Sequence, residues 1–450
     1  MKVVSQLMRG EGLFARVMRS SMWATFGYVA SQFVRLASNV ILTRILFPDA
    51  FGLMALVSVC MTGLMMFSDI GIGPSIMRSQ RGDDPNFLNT AWTLQVIRGV
   101  CLWLTLCLLA WPVATFYDQP LLLPLLPVAG LTLLIAGFNP TRVETANRHL
   151  QLGRVISLDL ISQITGIIAT IGLAWATQSV WGLALGGVVG SAVKLLLMHS
   201  FLAGPANSFH LNRADAHELV HFGKWIFLST IFGFMLSQGD KAILGKYVDL
   251  QTLGIYNIGY FLASFPLLLG GAVTARILIP TYREISADKT VGRVKRLRLM
   301  RAGLTGAILS LQFMMAFIGV ALVGFLYDPR YAAAGPIMVV ISLVQIPLII
   351  GLTYDQAALA AGDSRSYFYT IAARATAQTT LFIIGAEYWG LAGALIGQGI
   401  AAVSLHGVTI WLARKYKVWD PVHDAAYAIS SIVLGYLVVR LNQGSLELIF

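Results

Sequence analysis

Long apolar stretches alternate with short polar connections along almost the whole chain. A helix that crosses a bilayer needs about 20 mostly apolar residues. By that measure the sequence predicts thirteen membrane spans and an all-α polytopic membrane protein. The predicted spans are 20–43, 51–77, 91–116, 121–145, 154–176, 181–203, 220–246, 253–282, 301–327, 334–361, 366–386, 389–413 and 423–441. The tail after Leu441 is similar to the start of a fourteenth span.

The pattern repeats about 200 residues later. The stretch from Ile41, ILTRILFPDAFGLMAL, aligns without gaps with the stretch from Ile243, ILGKYVDLQTLGIYNI. The tetrapeptide WGLA at 181–184 recurs at 389–392. Two matches in the same order and at nearly the same offset indicate two homologous halves. Six spans in each half give both halves the same orientation, so we expect a parallel pseudo-two-fold repeat with one extra C-terminal helix.

Basic residues collect at the N-terminus and in every second connection, which places the N-terminus in the cytoplasm by the positive-inside rule. The segment from Arg283 to Arg301 is predicted to be an interfacial helix on that side. The predicted regions are a cytoplasmic amphipathic N-terminus (1–19), a six-helix half (20–203), a cytoplasmic linker (204–219), a second six-helix half (220–413) and an additional helix with a tail (414–450).

Composition excludes a soluble protein. The chain is 57% hydrophobic and 12% charged, whereas soluble domains carry about 25% charged residues. The net charge of +11 indicates basic loops that face anionic lipid, and not nucleic acid. Cys60, Cys101 and Cys107 lack metal-binding spacing. We therefore expect membrane lipids as partners and neither a cofactor nor a bound metal.

Four arginines lie well inside predicted spans, several residues from either end: Arg35, Arg98, Arg276 and Arg374. Charge inside a bilayer is costly and needs water or a partner, so the set predicts a polar cavity between the halves. Gln32 and Asn39, close to Arg35, are further cavity candidates. Because the arginine fork bonds phosphate in a bidentate manner, such a cavity favours an anionic substrate, for example a phosphate on a lipid carrier.

The intramembrane carboxylates allow two other readings. Asp69 and Asp159 are candidates for binding a coupling proton or sodium ion. Alternatively, arginines and aspartates form buried pairs that only fix helix packing.

One sequence motif points to an enzyme. His217, Glu218 and His221 match the H-E-x-x-H pattern of zinc proteases. Zinc needs a third protein ligand, and no later motif supplies one. The sequence also lacks a P-loop, a dinucleotide fingerprint and a nucleophile elbow. We therefore expect a protein that is not an enzyme.

The stretch SQFVRLASNVILTRILFPDAFGLMAL from Ser31, the tetrapeptide from Ser68 to Gly71, and SQGD at 237–240 with ILGK at 243–246 resemble the polysaccharide repeat-unit flippases. These belong to the multidrug/oligosaccharidyl-lipid/polysaccharide exporter superfamily. The resemblance implies an alternating-access transporter of the bacterial inner membrane. Its substrate would be undecaprenyl-pyrophosphate-linked oligosaccharide, flipped outward for exopolysaccharide or O-antigen synthesis. A polysaccharide polymerase and a co-polymerase would be candidate partners.

Two rival functions remain open at this point. A multidrug cation antiporter of the same superfamily would favour a cavity dominated by Asp and Glu. A membrane-embedded enzyme, such as a glycan ligase, would need a large outer loop for its acceptor, and the predicted outer connections are short.

Overall fold

The structure is a computed structural model that describes residues 13–69, 71–287 and 291–449, and all regular structure in these residues is helical. The α-helices are α1 (Leu13–Ile45), α2 (Pro48–Phe67), α3 (Ile72–Arg78), α4 (Pro85–Phe116), α5 (Leu122–Gly137), α6 (Arg142–Arg148), α7 (Leu152–Thr177), α8 (Val180–Phe201), α9 (Arg213–Tyr247), α10 (Leu250–Ala263), α11 (Phe265–Ala287), α12 (Val291–Leu326), α13 (Ala334–Val344), α14 (Ile346–Ala360), α15 (Ser364–Ser404), α16 (His406–Lys415), α17 (Pro421–Leu441) and α18 (Gln443–Leu446). A short 3-10 turn at Pro329–Tyr331 precedes α13.

The prediction of an all-α polytopic membrane protein is confirmed. Within the described residues, eight helical segments are long and apolar enough to cross a membrane, or ten if each of two bent pairs counts as one span. The helices α1 and α9, which contain the predicted spans 20–43 and 220–246, are not among them. Most of the predicted N-terminal segment 1–19 lies outside the described residues.

The chain forms two compact units. Unit 1 comprises the described residues up to Leu46 together with Val57–Thr230. Unit 2 comprises Phe47–Leu56 together with the described residues from Ile231 onward. The boundaries between the two units fall inside α2 and α9. The first turns of α2 therefore belong to unit 2.

Aspartates in the connections define where several helices begin. The carboxylates of Asp84, Asp249, Asp363 and Asp420 accept hydrogen bonds from backbone N–H groups in the first turns of α4, α10, α15 and α17. Each such cap satisfies one of the four N–H groups that a helix start leaves without a partner. Prolines follow directly at Pro85 and Pro421, where a missing N–H costs nothing.

In unit 1 the short helix α6 is held by arginines that cap neighbouring helix ends. Arg142 Nη1 donates to the carbonyls of His199 and Leu202, both at 3.0 Å, at the end of α8. Arg148 Nη1 donates to the carbonyls of Ile76 (3.0 Å) and Ser79 (2.6 Å) at the end of α3. A cation at a helix C-terminus satisfies free carbonyls and complements the helix dipole.

In both units a glutamine satisfies carbonyl groups at helix breaks. Gln95 of α4 donates to the carbonyls of Gly137 (3.2 Å) and Asn139 (3.1 Å), where α5 meets α6. Gln312 of α12 donates to Ala263 O (3.2 Å) at the α10–α11 break and to Ser342 O (3.1 Å) at the α13–α14 bend. A proline lies two residues beyond each break, at Pro140, Pro266 and Pro347, and proline removes a helical donor.

Five predicted spans are interrupted in the structure: 51–77, 121–145, 253–282, 334–361 and 389–413. The sequence indicates a single span over 253–282, but the helix stops at Ala263 and restarts at Phe265. The predicted interfacial helix at 283–301 also differs. Residues up to Ala287 continue α11, and those from Val291 begin α12, which runs to Leu326.

The aligned repeat sequences meet at a close helix crossing inside unit 2. A Cβ added to Gly52 would overlap the carbonyl oxygen of Leu250, and one added to Gly254 would overlap that of Pro48. In the ungapped alignment Pro48 corresponds to Leu250 and Gly52 to Gly254. The contact therefore maps onto itself when the repeats are exchanged, which is consistent with a pseudo-two-fold repeat.

The helix α15 reverses direction at Trp389 and Gly390, whose φ angles are −139° and 56°. The positive φ of Gly390 is the left-handed conformation that glycine adopts without a steric cost. Beyond the reversal, the backbone of Gly393 lies against that of Gly385. The reversal separates the predicted spans 366–386 and 389–413.

Candidate transport site

The predicted cavity residues of α1 share one helix face. Gln32, Arg35 and Asn39 follow one another at intervals of three and four residues, which places them in one row along the helix. Arg35 is exposed, and Gln32 and Asn39 are half-buried. In unit 2, Arg276 of α11 is likewise exposed. Both arginines are therefore exposed although their helices are mostly apolar.

Arg98 is engaged inside unit 1. Its Nε donates to Ser68 Oγ at 3.0 Å, and its Nη2 donates to the carbonyl of Met65 at 2.8 Å, in the last turn of α2. Asp69 follows Ser68 and is exposed. Its Oδ1 accepts the N–H of Gly71 at 2.9 Å, in the turn that leads to α3. Arg98 and the turn at Asp69 together fix the end of α2.

Arg374 is paired within unit 2. Its Nη1 and Nη2 donate to the two oxygens of Asp355 at 2.7 and 2.9 Å, and Nη2 also donates to Thr409 Oγ1 at 2.6 Å. The side chains of Arg374 and Asp355 are 13% and 14% exposed. The planar fork of Arg374 is thus occupied by a carboxylate in this conformation.

Asp159 lines a cavity of about 550 Å³ in unit 1, between α1, α7 and α8. Its Oδ1 lies 2.7 Å from Lys194 Nζ, and each side chain is 41% exposed. Tyr28, Ser31 and Gln163 add polar groups to the wall. The cavity therefore holds one partly exposed ion pair together with several uncharged polar groups.

The sequence predicts that Arg301 belongs to an interfacial helix, but the residue is buried. It is 2% exposed, and its guanidinium carbon lies 4.0 Å from the centroid of the Tyr354 ring. Its Nη1 donates to the carbonyl of Val418 at 2.6 Å. Arg301 ends a run of basic residues, and that run is the reason why the sequence predicts an interfacial helix here. Its partners are too distant in the chain for that run to reveal burial.

Sequence reasoning also missed a buried polar cluster around Asp424 at the start of α17. Tyr354 OH donates to Asp424 Oδ1 at 2.7 Å, and Trp419 Nε1 donates to Oδ2 at 3.1 Å. His423 and His406 lie beside the same carboxylate. The available signal was an adjacent His-Asp pair at the start of an apolar span.

The zinc-protease motif gains no structural support. His217 is exposed, while the side chains of Glu218 and His221 lie outside the described part of the chain. Among the described residues, no group of three or more His, Cys, Asp or Glu side chains could hold a metal ion.

The long apolar helices define a multi-pass, all-α membrane protein. The chain belongs to the family of polysaccharide biosynthesis proteins, whose sequence pattern matches residues 41–336. The lipopolysaccharide biosynthesis protein WzxC of Escherichia coli (strain K12) is 23% identical over 293 residues, covering 63% of this chain and 58% of that protein. The succinoglycan biosynthesis transport protein ExoT of Rhizobium meliloti (strain 1021) is 23% identical over 401 residues, covering 89% and 80%.

Solved structures show the same fold. The lipid II flippase MurJ in an inward closed conformation has a TM-score of 0.66 at 14% identity, with 92% of each chain covered. An inward-facing multidrug resistance MATE family transporter of the MOP superfamily has a TM-score of 0.62 at 13% identity, covering 86% of this chain and 94% of that one. The predicted resemblance to a polysaccharide biosynthesis family is confirmed by the family match, and the fold is shared with transporters of the multidrug/oligosaccharidyl-lipid/polysaccharide exporter superfamily.

Proposed function

We propose that this protein flips undecaprenyl-pyrophosphate-linked oligosaccharide repeat units outward across the bacterial inner membrane, for exopolysaccharide or O-antigen synthesis. The family match over residues 41–336 carries the proposal. The relatives named for lipopolysaccharide and succinoglycan biosynthesis support the polysaccharide part. The likeness in fold to a lipid II flippase supports a lipid-linked substrate.

The proposed orientation places the N-terminus in the cytoplasm, where the substrate is made. A polysaccharide polymerase and a co-polymerase, which act on the flipped unit, are the proposed partners. The excess of basic residues in alternate connections supports the proposed orientation. Reporter fusions should signal inside after Asp84 and outside after Asp118, and the reverse pattern would overturn the orientation.

Arg35 and Arg276 are the strongest candidates to contact the pyrophosphate. Both are exposed on apolar helices, and guanidinium forks bind phosphate oxygens in pairs. Gln32 and Asn39, on the face of Arg35, would bond sugar hydroxyls or phosphate. Arg98 and Arg374 would contact substrate only in a conformation that frees them from Met65 and Asp355. Transport by alternating access supplies such a second conformation.

Coupling to an ion gradient or to the membrane potential is part of the proposal. Asp159 is the better ion-binding candidate because it lines a cavity and is paired with Lys194, which is equally exposed. Asp69 is the weaker one, since its Oδ1 already holds the turn at Gly71. Neutralising Asp159 together with Lys194 should preserve the fold and abolish the dependence of transport on the gradient.

The substrate contacts are tested by single alanine variants, with polymer export measured beside the amount of protein in the membrane. Arg35→Ala and Arg276→Ala should abolish export at normal abundance. The lysine variants should restore it only partly, because lysine keeps the charge and loses the fork. Normal export in both alanine variants would contradict the assignment.

Arg374 provides the matched contrast, because its carboxylate partner is visible. Arg374→Ala leaves Asp355 buried and unpaired, which costs on the order of 3–5 kcal/mol. Protein abundance should therefore fall together with export. The double variant Arg374→Met with Asp355→Leu should recover abundance. Recovery of export as well would show that Arg374 serves packing alone.

A multidrug cation antiporter is the second candidate, favoured by the fold shared with the MATE transporter and by an acidic residue in the unit 1 cavity. It predicts that a strain lacking the protein becomes sensitive to cationic drugs while its polysaccharide export stays normal. The flippase proposal predicts the opposite pair of results.

A further inference from the structure

A buried carboxylate at the start of α17 links three helices of unit 2 and the connection before α17. Asp424 is 9% exposed. Its Oδ1 accepts the hydroxyl of Tyr354 (α14) at 2.7 Å and lies 3.0 Å from His423 Nδ1. Its Oδ2 accepts Trp419 Nε1 at 3.1 Å and lies 3.5 Å from Nε2 of His406 (α16). An ionised carboxylate only accepts hydrogen bonds, and this one is surrounded by donors.

The two histidines beside Asp424 differ in how their nitrogens are satisfied. His423 is 7% exposed, with Nδ1 on Asp424 and Nε2 at 3.1 Å from Thr305 Oγ1 of α12. A neutral imidazole with its proton on Nδ1 satisfies both contacts, because the threonine hydroxyl can donate to Nε2. His406 has Nε2 facing Asp424, whereas its Nδ1 is buried and has no hydrogen-bond partner among the described residues. Only His406 therefore has a ring nitrogen to spare.

The open nitrogen belongs to a residue that lines a cavity. The cavity measures about 510 Å³ and is walled mostly by apolar side chains such as Ile346 and Ile432. Its polar lining includes His406, Asp424 and Ser431. Ser431 is 7% exposed, and its Oγ also lacks a partner in the described part of the chain. A cavity of this size has room for several waters, and unsatisfied polar atoms such as His406 Nδ1 and Ser431 Oγ are where buried water binds.

We infer that His406 is a proton-binding site of unit 2. A hydronium ion that reaches the cavity from the aqueous phase gives one proton to Nδ1, so that one O–H bond breaks, one N–H bond forms and a neutral water is left. The imidazolium is then stabilised by the Asp424 carboxylate through Nε2–H. Imidazole is the side chain that ordinarily changes charge between pH 5 and 8. The inference rests on the proposed transport function, because it assigns the proton to a transport cycle.

The charged neighbours show what the proton would change. Arg301 of α12 is buried, and its guanidinium lies over the ring of Tyr354, whose hydroxyl donates to Asp424. Tyr354 therefore lies between Arg301 and Asp424. Protonation of His406 places a cation directly beside the Asp424 carboxylate. Asp424 is then drawn toward α16, and its hydrogen bond with Tyr354 weakens.

Other charges around the cluster are paired elsewhere. Arg298 of α12 lies 3.4 Å from Asp420. Arg414 of α16 lies over the Trp419 ring at 4.0 Å. Tyr427 of α17 donates to the carbonyl of Ala302 at 2.6 Å. Arg374 donates to Thr409 of α16 but is neutralised by Asp355. Asp424 is therefore the acidic group placed to stabilise a charged His406.

Trp419 offers a local reporter, because its indole donates to the carboxylate oxygen that faces His406. The full-length protein in lipid nanodiscs is titrated from pH 8 to 5 while tryptophan fluorescence is recorded. We expect a step in the wild type that disappears in both Trp419→Phe and His406→Gln. His199→Gln, which removes an exposed histidine of unit 1, should keep the step. A step that persists in His406→Gln overturns the proposal.

A second variant covers the case in which His406→Gln does not fold. Asp424→Asn removes the charge that would stabilise the imidazolium, so the midpoint of the step should move down by about one pH unit or more. An unmoved midpoint would contradict the role of Asp424. His423→Gln should lower the melting temperature and leave the midpoint in place, because both of its nitrogens are already bonded.

Transport assays separate this inference from the proposed function. In vesicles, the rate of flipping by wild type and by His199→Gln should depend on pH, and that of His406→Gln should not. An unchanged pH dependence in His406→Gln overturns the coupling role. If the wild type flips no lipid-linked oligosaccharide, the proposed function fails, while the fluorescence titration still decides whether His406 binds the proton.

Discussion

Unit 2 stabilises its two buried arginines by different means. Arg374 has a bidentate carboxylate partner in Asp355. Arg301 relies on the carbonyl of Val418, the hydroxyl of Thr353 at 3.3 Å and the face of Tyr354. Cation–π attraction grows when the cation is desolvated, which is the situation of Arg301. Arg301 therefore depends on uncharged neighbours, whereas Arg374 has a carboxylate partner.

A pH-dependent contribution to stability is expected at the start of α15. The carboxylate of Asp363 accepts hydrogen bonds from Lys415 Nζ (2.7 Å), the N–H of Ser366 (2.9 Å) and Tyr416 OH (2.7 Å). These bonds, with Lys415 first, hold the pKa of Asp363 well below its usual range. A carboxylate with a lowered folded-state pKa stabilises the fold above its unfolded pKa, near 3.9, and loses that contribution as the pH falls through the folded value.

Lys415→Met should therefore lower the melting temperature at pH 7, because it removes the main cause of the lowered pKa of Asp363. The difference from wild type should shrink below about pH 4, where the carboxylates begin to protonate. Melting temperatures in detergent from pH 7 to 3 measure this. Lys417→Met, the same change at an exposed lysine two residues away, should track the wild type. Parallel curves for Lys415→Met and wild type would contradict the prediction.

Broken helices recur at corresponding places in the two units, each with a glutamine on a neighbouring helix. Gln95 serves the break that follows α5, and Gln312 serves the bend that follows α13. The helix pairs are bent by 59° and 44° at these points. An unpaired carbonyl buried in a membrane protein is costly. The glutamines stabilise the bends because they donate hydrogen bonds to these carbonyls.

Gln312→Met should destabilise the protein, because it leaves the carbonyls of Ala263 and Ser342 without their donor. Gln312 is fully buried, and each buried group left unsatisfied costs about 1–3 kcal/mol. Thermal unfolding of the purified protein measures the loss. Gln251→Met, at an exposed position on α10, is the matched control and should be neutral. Equal melting temperatures for the two variants would show that water replaces the glutamine.

The sequence predicts the existence of most helices but not where they break. A span is recognised from the length of an apolar stretch. Ser264 alone does not interrupt the apolar stretch around it, so the sequence predicts one helix over 253–282. Pro266 was the visible signal, although proline alone does not distinguish a kink from a break. Similarly, the pairing of Arg374 with Asp355 could be anticipated as an alternative. The cluster at Asp424 could not, since its partners Tyr354 and Thr305 are 70 and 119 positions away.

The internal repeat has a direct structural counterpart in the crossing of α2 with α10. Gly52 and Gly254 each lie against the backbone carbonyl that corresponds to the other's partner. A two-fold relation explains why both repeats carry glycine at the same register position, because a residue at the axis meets its own equivalent. The similarity of the two stretches is thus maintained at a contact and not only by descent.

Gly52→Ala and Gly254→Ala should each lower stability by about 1–3 kcal/mol, the usual cost of overpacking, because the added methyl group meets a backbone carbonyl that cannot move aside. The double variant should cost less than the sum, since both changes separate the same two helices. Thermal unfolding and membrane abundance measure the effect. Gly271→Ala, where no described atom lies within 4 Å of the added methyl group, should be neutral or slightly stabilising.

The reversal at Trp389 and Gly390 bears on how the chain enters the membrane during synthesis. Its two arms are joined by a tight turn beside the exposed Glu387, and their backbones touch at Gly385 and Gly393. An arm inserted alone would lack the backbone against which its glycine packs. The two arms therefore enter lipid together as one helical pair. A nascent chain truncated at Trp389 would expose a glycine face that only the missing arm can cover.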